Sequence, residues 1–210
     1  MNARSRRWFL RVVASSLAIV FPLLHTSETS GAEDDRPEAV GSVEEASGET
    51  FADARKKRRP LERASPIFAN DQVGTGPDSR VELRLGETTK IRLGERARLN
   101  IDRFLMNTGG EITLDAGAML FEKRDGRPTP VEVRSSYGLI AVRGTRFFAG
   151  PSNKVFGVFV EEGTVTVTAG GRRVVLRAGE GTDISSPGKR PTAPKRWGEP
   201  RIRAAYASVR

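Results

Sequence analysis

The chain has 210 residues, of which 37% are apolar, 7% aromatic and 29% charged, with a formal net charge of +9. Those proportions support one modest core and exclude both a polytopic membrane protein and a chain disordered throughout. The chain has no cysteine and a single histidine, His25, so disulfides, iron–sulfur clusters, thiolate zinc sites and cysteine nucleophiles are excluded together.

The first 32 residues read as an address. Arg4, Arg6, Arg7 and Arg11 precede an apolar run from Val12 to Leu24, and Ser30-Gly31-Ala32 closes the segment with small residues. The run falls short of the roughly twenty residues that span a bilayer, so a secretory signal cut after Ala32 is expected rather than an anchor. Arg6 and Arg7 followed by Trp8, Phe9, Leu10 and Arg11 resemble the bacterial twin-arginine signal, with Arg11 in place of the usual lysine. The resemblance implies export in a folded state, to the periplasm or beyond. Cleavage there would remove His25 and leave a mature chain without imidazole.

Charge then comes in blocks. Glu33 to Ala54 carries eight acids against Arg36, and Arg55 to Arg63 carries six bases against Glu62. The basic run Arg55-Lys56-Lys57-Arg58-Arg59 is expected to be a solvated loop held by the acidic block beside it. Contact of these five residues with an anionic surface is the alternative. Nucleic acid is not expected, because no aromatic residues interleave with the bases. Residues 33–66 are thus an acidic and then basic lead-in, which includes a first strand near Val40.

From there on, apolar residues alternate with polar ones at period two, the spacing of half-buried strands. Val81, Leu83 and Leu85 alternate with charges, as do Ile91 and Leu93, then Leu99 and Ile101, then Ile112 and Leu114. Val165 and Val167 alternate with threonines, and Val174 and Leu176 lie among arginines. Two runs, Leu139–Val142 and Val155–Val160, are apolar on both faces, as in strands covered by two layers. They are expected to form the central hairpin, turning around Pro151-Ser152-Asn153. Short strands with turns about every ten residues predict an all-β domain over residues 67–186. Residues 187–210 read as a proline-rich basic linker and a short helix. Pro200 suits the first turn of that helix, and Ile202, Ala205, Tyr206 and Val209 fall on one side. The helix is expected to cover an open end of the sheet or, on the sharper reading, to dock on a partner.

Three motifs then keep order and spacing. They are Leu139-Ile140-Ala141-Val142-Arg143-Gly144-Thr145-Arg146-Phe147, then Val158-Phe159-Val160-Glu161-Glu162-Gly163-Thr164-Val165-Thr166-Val167, then Val174 through Ala178-Gly179-Glu180. This series resembles the FecR domain, the periplasmic part of the ferric-citrate sensor regulators. Val73-Gly74-Thr75-Gly76 and Val40-Gly41-Ser42-Val43 resemble its earlier segments, so the likeness extends from the first strand to Glu180. The resemblance implies stacked short strands in a β-solenoid or roll, with no bound cofactor. Gly144, Thr145, Phe147, Glu162, Gly163, Val165 and Gly179 are the matching motif positions and are expected to be architectural. Gly144 would turn the chain out of a buried strand, Thr145 would bond back to free backbone groups, Phe147 would return to the core, and Gly163 and Gly179 would make tight connections. The regulators carry a cytoplasmic sigma-factor-binding segment and a transmembrane helix before this domain. Neither is seen ahead of the motifs, so a stand-alone exported form is expected.

The function expected is therefore non-enzymatic: an exported domain that binds an envelope protein or polymer in a sensing or scaffolding role, without metal or cofactor. Two alternatives stay open. One is a carbohydrate-active enzyme on a β-solenoid, which would need two carboxyl groups about 5–9 Å apart in a cleft, drawn from Asp102, Asp115 and Glu122. The other is a structural envelope protein held by its basic segments.

Overall fold

The protein is described by a computed structural model over residues 39–54, 57–105, 109–123 and 130–210. The proposed export signal (Arg6, Arg7, Phe9, Leu10 and the cleavage site at Ala32), together with Arg55 and Lys56, lies outside the described residues.

Among the described residues, sixteen strands and one helix follow in chain order. The first half comprises β1 (Ala39–Ser47), β2 (Thr50–Ala54), β3 (Lys57–Pro60), β4 (Pro66–Phe68), β5 (Gln72–Thr75), β6 (Arg80–Leu85), β7 (Thr89–Leu93) and β8 (Arg98–Leu105). The second comprises β9 (Gly109–Ala116), β10 (Met119–Lys123), β11 (Val131–Ser135), β12 (Gly138–Ser152), β13 (Val155–Ala169), β14 (Arg172–Arg177), β15 (Glu180–Ile184) and β16 (Lys195–Arg196), followed by α1 (Glu199–Ala207). The all-β expectation and the short C-terminal helix are both found.

The long strands β12 and β13 organise everything else. They pair antiparallel along their whole length, and each serves two different sets of neighbours. The first half of β12 pairs with β11, and the second half of β13 pairs with β14. This makes one wing in the order β3-β2-β5-β8-β9-β11-β12-β13-β14. The second half of β12 pairs with β10, and the first half of β13 pairs with β15. This makes a second wing in the order β4-β1-β6-β7-β10-β12-β13-β15-β16. The pairings are antiparallel except for β9 with β11, which is parallel.

The wings meet at a paired irregularity. Register shifts between Arg143 and Arg146, so that Gly144 and Thr145 face Gly163. Both glycines have positive φ, 58° and 85°, a region that other residues enter only at a cost. The extra residue is thus on β12: Gly144 belongs to a bulge inside a continuous strand rather than to a turn out of it, and Gly163 is the single residue facing that bulge, where the sequence suggested a connection between two strands. A bulge bends the ladder and raises its twist, which lets one hairpin belong to both wings. Its tip also differs from expectation: the strands persist through Ser152, and the turn is made by Asn153 and Lys154, with φ of 52° and 64°. Two consecutive residues at positive φ give the mirror-image turn that matches strand twist.

The inner faces of both wings share one core. Leu99, Ile112, Val133, Ile140 and Val165 of the first wing join Leu83, Ile91, Phe121, Phe147 and Val160 of the second. The period-two residues read from the sequence are the ones that point inward. Phe121 and Phe147 touch across β10 and β12, with ring centroids 5.3 Å apart. Outside, β1, β6 and β7 carry a charge ladder in which Glu44 meets Arg84 and Lys90, and Glu82 meets Lys90 and Arg92. Hydrogen bonds from Lys90 hold the Glu44 carboxyl below its ordinary range. Such half-exposed pairs add a few tenths of a kcal/mol each and set register more than stability.

Candidate functional site

On the outside of the second wing, β10, β12 and β13 depart from simple alternation. Leu120, Phe148 and Phe159 point outward and are nonetheless buried. Leaving such side chains in water would forfeit about 1.5–3 kcal/mol apiece. The C-terminal segment covers them. Trp197 stacks on Phe159 at 5.2 Å and tilts against Phe148 at 6.4 Å. The indole can lie this close because two glycines open the surface beneath it. A Cβ on Gly157 would stand 2.8 Å from the ring, and one on Gly181 would stand 2.6 Å from its Cε2 and closer still to its Nε1. Arg201 stacks its guanidinium 3.6 Å from the Trp197 ring centroid and donates to Asp183 at 2.6 and 3.3 Å and to Ser152 Oγ at 3.0 Å. Burial pushes the Asp183 carboxyl up, but Arg201 and Lys195 outweigh it and hold the group below its ordinary range. Ala205, Tyr206 and Val209 complete the contact, with Ile202 partly buried beside them. The helix thus docks on an outer face of its own sheet rather than on an open end.

The segment before the helix is tied down as well. The Thr182 hydroxyl donates to the Thr192 carbonyl at 2.8 Å, the Asp183 N–H donates to Thr192 Oγ1 at 3.0 Å, and β16 pairs with β15. Trp197 and its glycine seat were not legible from spacing, because the three residues are far apart in the chain.

Beside the helix lies a groove of about 760 Å³, lined by Phe159, Gly179, Ile202, Tyr206 and Ala207, with Glu161, Glu199, Arg203 and Arg210 at its rim. The Tyr206 hydroxyl donates to Glu161, and the Arg146 guanidinium approaches Glu161 at 3.2 Å and Glu122 at 3.6 Å. Burial raises the Tyr206 phenol above its ordinary value, and the bond to Glu161 adds to this.

The motif residues fall mainly at the bend. Phe147 and Val165 are fully buried, Glu162 stands opposite Arg146 in the hairpin register, and Gly179 closes the β14–β15 turn with its N–H on the Val160 carbonyl at 2.8 Å. Thr145 is 2% exposed, and its hydroxyl finds no partner among the described residues. The expected bond from this hydroxyl back to the backbone is not made; its methyl packs against Gly163 instead.

Of the three acids of the glycosidase alternative, Asp102 and Asp115 lie on neighbouring strands and Glu122 lies apart from both. Asp102 accepts from Thr113 Oγ1 at 2.6 Å, and Asp115 accepts from Asn100 at 2.7 Å, both on β8 and β9 of the first wing. Glu122 lies on β10 of the second wing, in register with Lys90 and Arg146. Among the described residues no group of three or more His, Cys, Asp or Glu side chains is placed to hold a metal ion.

The basic run is not a loop where it is described. Lys57, Arg58 and Arg59 form β3, paired with β2. The acidic block does hold it, since Arg58 donates two bonds of 2.9 Å to Asp53 while lying 3.7 Å over the Phe51 ring. Arg59 reaches Asp71.

A folded-over, mostly antiparallel sheet sealed on one side by a short helix is thus the class of domain seen here. Residues 71–166 match the FecR protein family. The matched range takes in Gly144, Thr145, Phe147, Glu162, Gly163 and Val165 and leaves out β1 to β4, Gly179 and the C-terminal segment. No curated protein matches the chain. Two crystal structures of a proposed anti-sigma factor from Parabacteroides distasonis, at 2.50 and 1.65 Å resolution, share the fold with a TM-score of 0.55 and 14% identity over 63% of this chain. The chain spans 62% and 63% of their respective lengths.

Proposed function

We propose that this is a non-enzymatic, exported FecR-type protein that binds an envelope protein or polymer in a regulatory, sensing or scaffolding role. The observation that carries this reading is the FecR family match over residues 71–166. The all-β relatives described as an anti-sigma factor support the regulatory side of it. The apolar groove beside α1 offers a contact surface, and it is lined by neither Asp102, Asp115 nor Glu122. Among the described residues no helix is long and apolar enough to cross a membrane. The export part rests on the N-terminal signal alone.

Pull-down from envelope extracts with the mature chain as bait tests the binding role. Retention of a defined protein or glycan supports it, and retention of nothing at low salt overturns it. Sequencing the N-terminus of the exported protein tests the rest: a start after Ala32 is expected, and an intact Met1 counts against it. The five bases from Arg55 to Arg59 are proposed as an accessory contact with anionic surfaces. Sedimentation with anionic vesicles, abolished by salt, is the expected behaviour.

A further inference from the structure

A sheet that is not closed has ends, and each wing here has two. Three of the four are blunted. β4 has three residues beginning at Pro66, β16 has two, and β3 ends in Pro60 with Arg58 and Arg59 held by Asp53 and Asp71. Short strands, proline and charged side chains are the usual ways of keeping an edge from pairing with another chain. The fourth end, β14, is neither short nor broken by proline, and its charges, Arg172, Arg173 and Arg177, are all of one sign. It has six residues without proline, pairs with β13 alone, and among the described residues no backbone bond leaves its other edge.

Its side chains are also distinctive. Val174 and Leu176 point into the core, while Arg173, Val175 and Arg177 face outward opposite Thr168, Thr166 and Thr164. Val175 is 48% exposed and is the one exposed large hydrophobic residue among those described. No carboxylate among the described residues pairs with the side chains of Arg172, Arg173 or Arg177. An exposed apolar residue between two arginines without carboxylate partners, beside an edge on which the Arg177 N–H alone is seen engaged among the described residues, by the Glu180 carboxylate at 2.8 Å, is a template for one kind of strand. A second copy is a poor fit, because antiparallel self-pairing centred on Val175 would set Arg173 opposite Arg177 twice, and like charges directly opposite are destabilising.

We propose that the β14 edge receives an extended acidic segment of a protein partner as an added strand, with carboxylates opposite Arg173 and Arg177 and an apolar side chain against Val175. Backbone pairing supplies the attachment and the alternating side chains supply the choice of partner. This deepens the binding role proposed above by naming the chemistry of the partner and the edge it uses.

The probe is the peptide Thr-Glu-Val-Val-Val-Glu-Thr, which reads alike in either strand direction, added to the mature chain and followed by titration and hydrogen exchange. Slowed exchange confined to the β13–β14 side of the first wing is expected, with binding that weakens as salt rises. The charge-reversed chain R173E/R177E should bind about tenfold more weakly. The same peptide with alternate backbone nitrogens methylated, or with lysine for glutamate, should not bind. Binding of either control as tightly as the parent peptide, or no protection of β14 by the parent at saturating concentration, overturns the proposal. The two readings fail separately. An envelope partner retained equally by wild type and R173E/R177E, with β14 unprotected, sinks the edge and leaves the binding role. A protected β14 with nothing retained from extracts does the reverse.

Discussion

Gly144 and Gly163 face each other across the long hairpin, both at positive φ, where β12 and β13 pass from one wing of the sheet to the other. The two are not equivalent. A Cβ on Gly144 would meet nothing within 4 Å, whereas one on Gly163 would stand 2.6 Å from Thr145 Cγ2 and closer still to the Gly144 carbonyl. Gly144→Ala should therefore cost only the left-handed conformation, about 1–2 kcal/mol. Gly163→Ala adds a backbone clash and should cost about 3 kcal/mol or more. Urea unfolding of the two variants checks the order, and equal losses would mean that the bend is not built as described.

Thr145 lies beneath this pair with its hydroxyl buried and without a partner among the described residues. A buried polar atom that makes no bond carries its desolvation cost uncompensated, and a group of the same shape without the hydroxyl avoids it. Thr145→Val is expected to leave stability unchanged or raise it by about 1 kcal/mol. A loss of comparable size would show that the hydroxyl is bonded.

Trp197 fastens the C-terminal segment through Gly157 and Gly181. Trp197→Ala removes the ring over Phe148 and Phe159, a change that costs about 3–5 kcal/mol at a buried aromatic site. The core of the two wings does not include this cluster, so the loss should be local. Hydrogen exchange is expected to show α1 unprotected while β12 and β13 stay protected. Uniform loss across the molecule would contradict a separable cover.

Asp183 joins the same segment to the sheet through Arg201 and Lys195. Its folded carboxyl is held below the ordinary aspartate value of 3.8, so its contribution is complete above that value and is lost as pH falls through the lower folded one. Near-ultraviolet circular dichroism of Trp197 should report loosening in acid below that point. Asp183→Asn should weaken docking at neutral pH and flatten this part of the acid profile. An unchanged profile would remove Asp183 from the fastening.

Much of the architecture was legible along the chain because burial on one face of a strand forces alternation, and alternation survives in sequence. β6 falls where Val81, Leu83 and Leu85 alternate with charge, and the two-faced runs around Ile140 and Val158 became the central hairpin. The inward placement of Val165 followed from the same rule, and the helix after Pro200 from its period. What the sequence could not contain was anything that depends on where distant strands meet. Gly163 reads as a turn residue because glycine is common in turns, and only the pairing with β12 shows it facing a bulge at Gly144 and Thr145 inside a continuous strand. The basic run reads as a loop because nothing local says that Phe51, Asp53 and Asp71 will hold Arg58 and Arg59 in a strand. Period and composition thus settled that this is a layered β protein with a helical end. Pairing between residues far apart in the chain decided where the sheet bends, which face Trp197 seals, and which edge is left open.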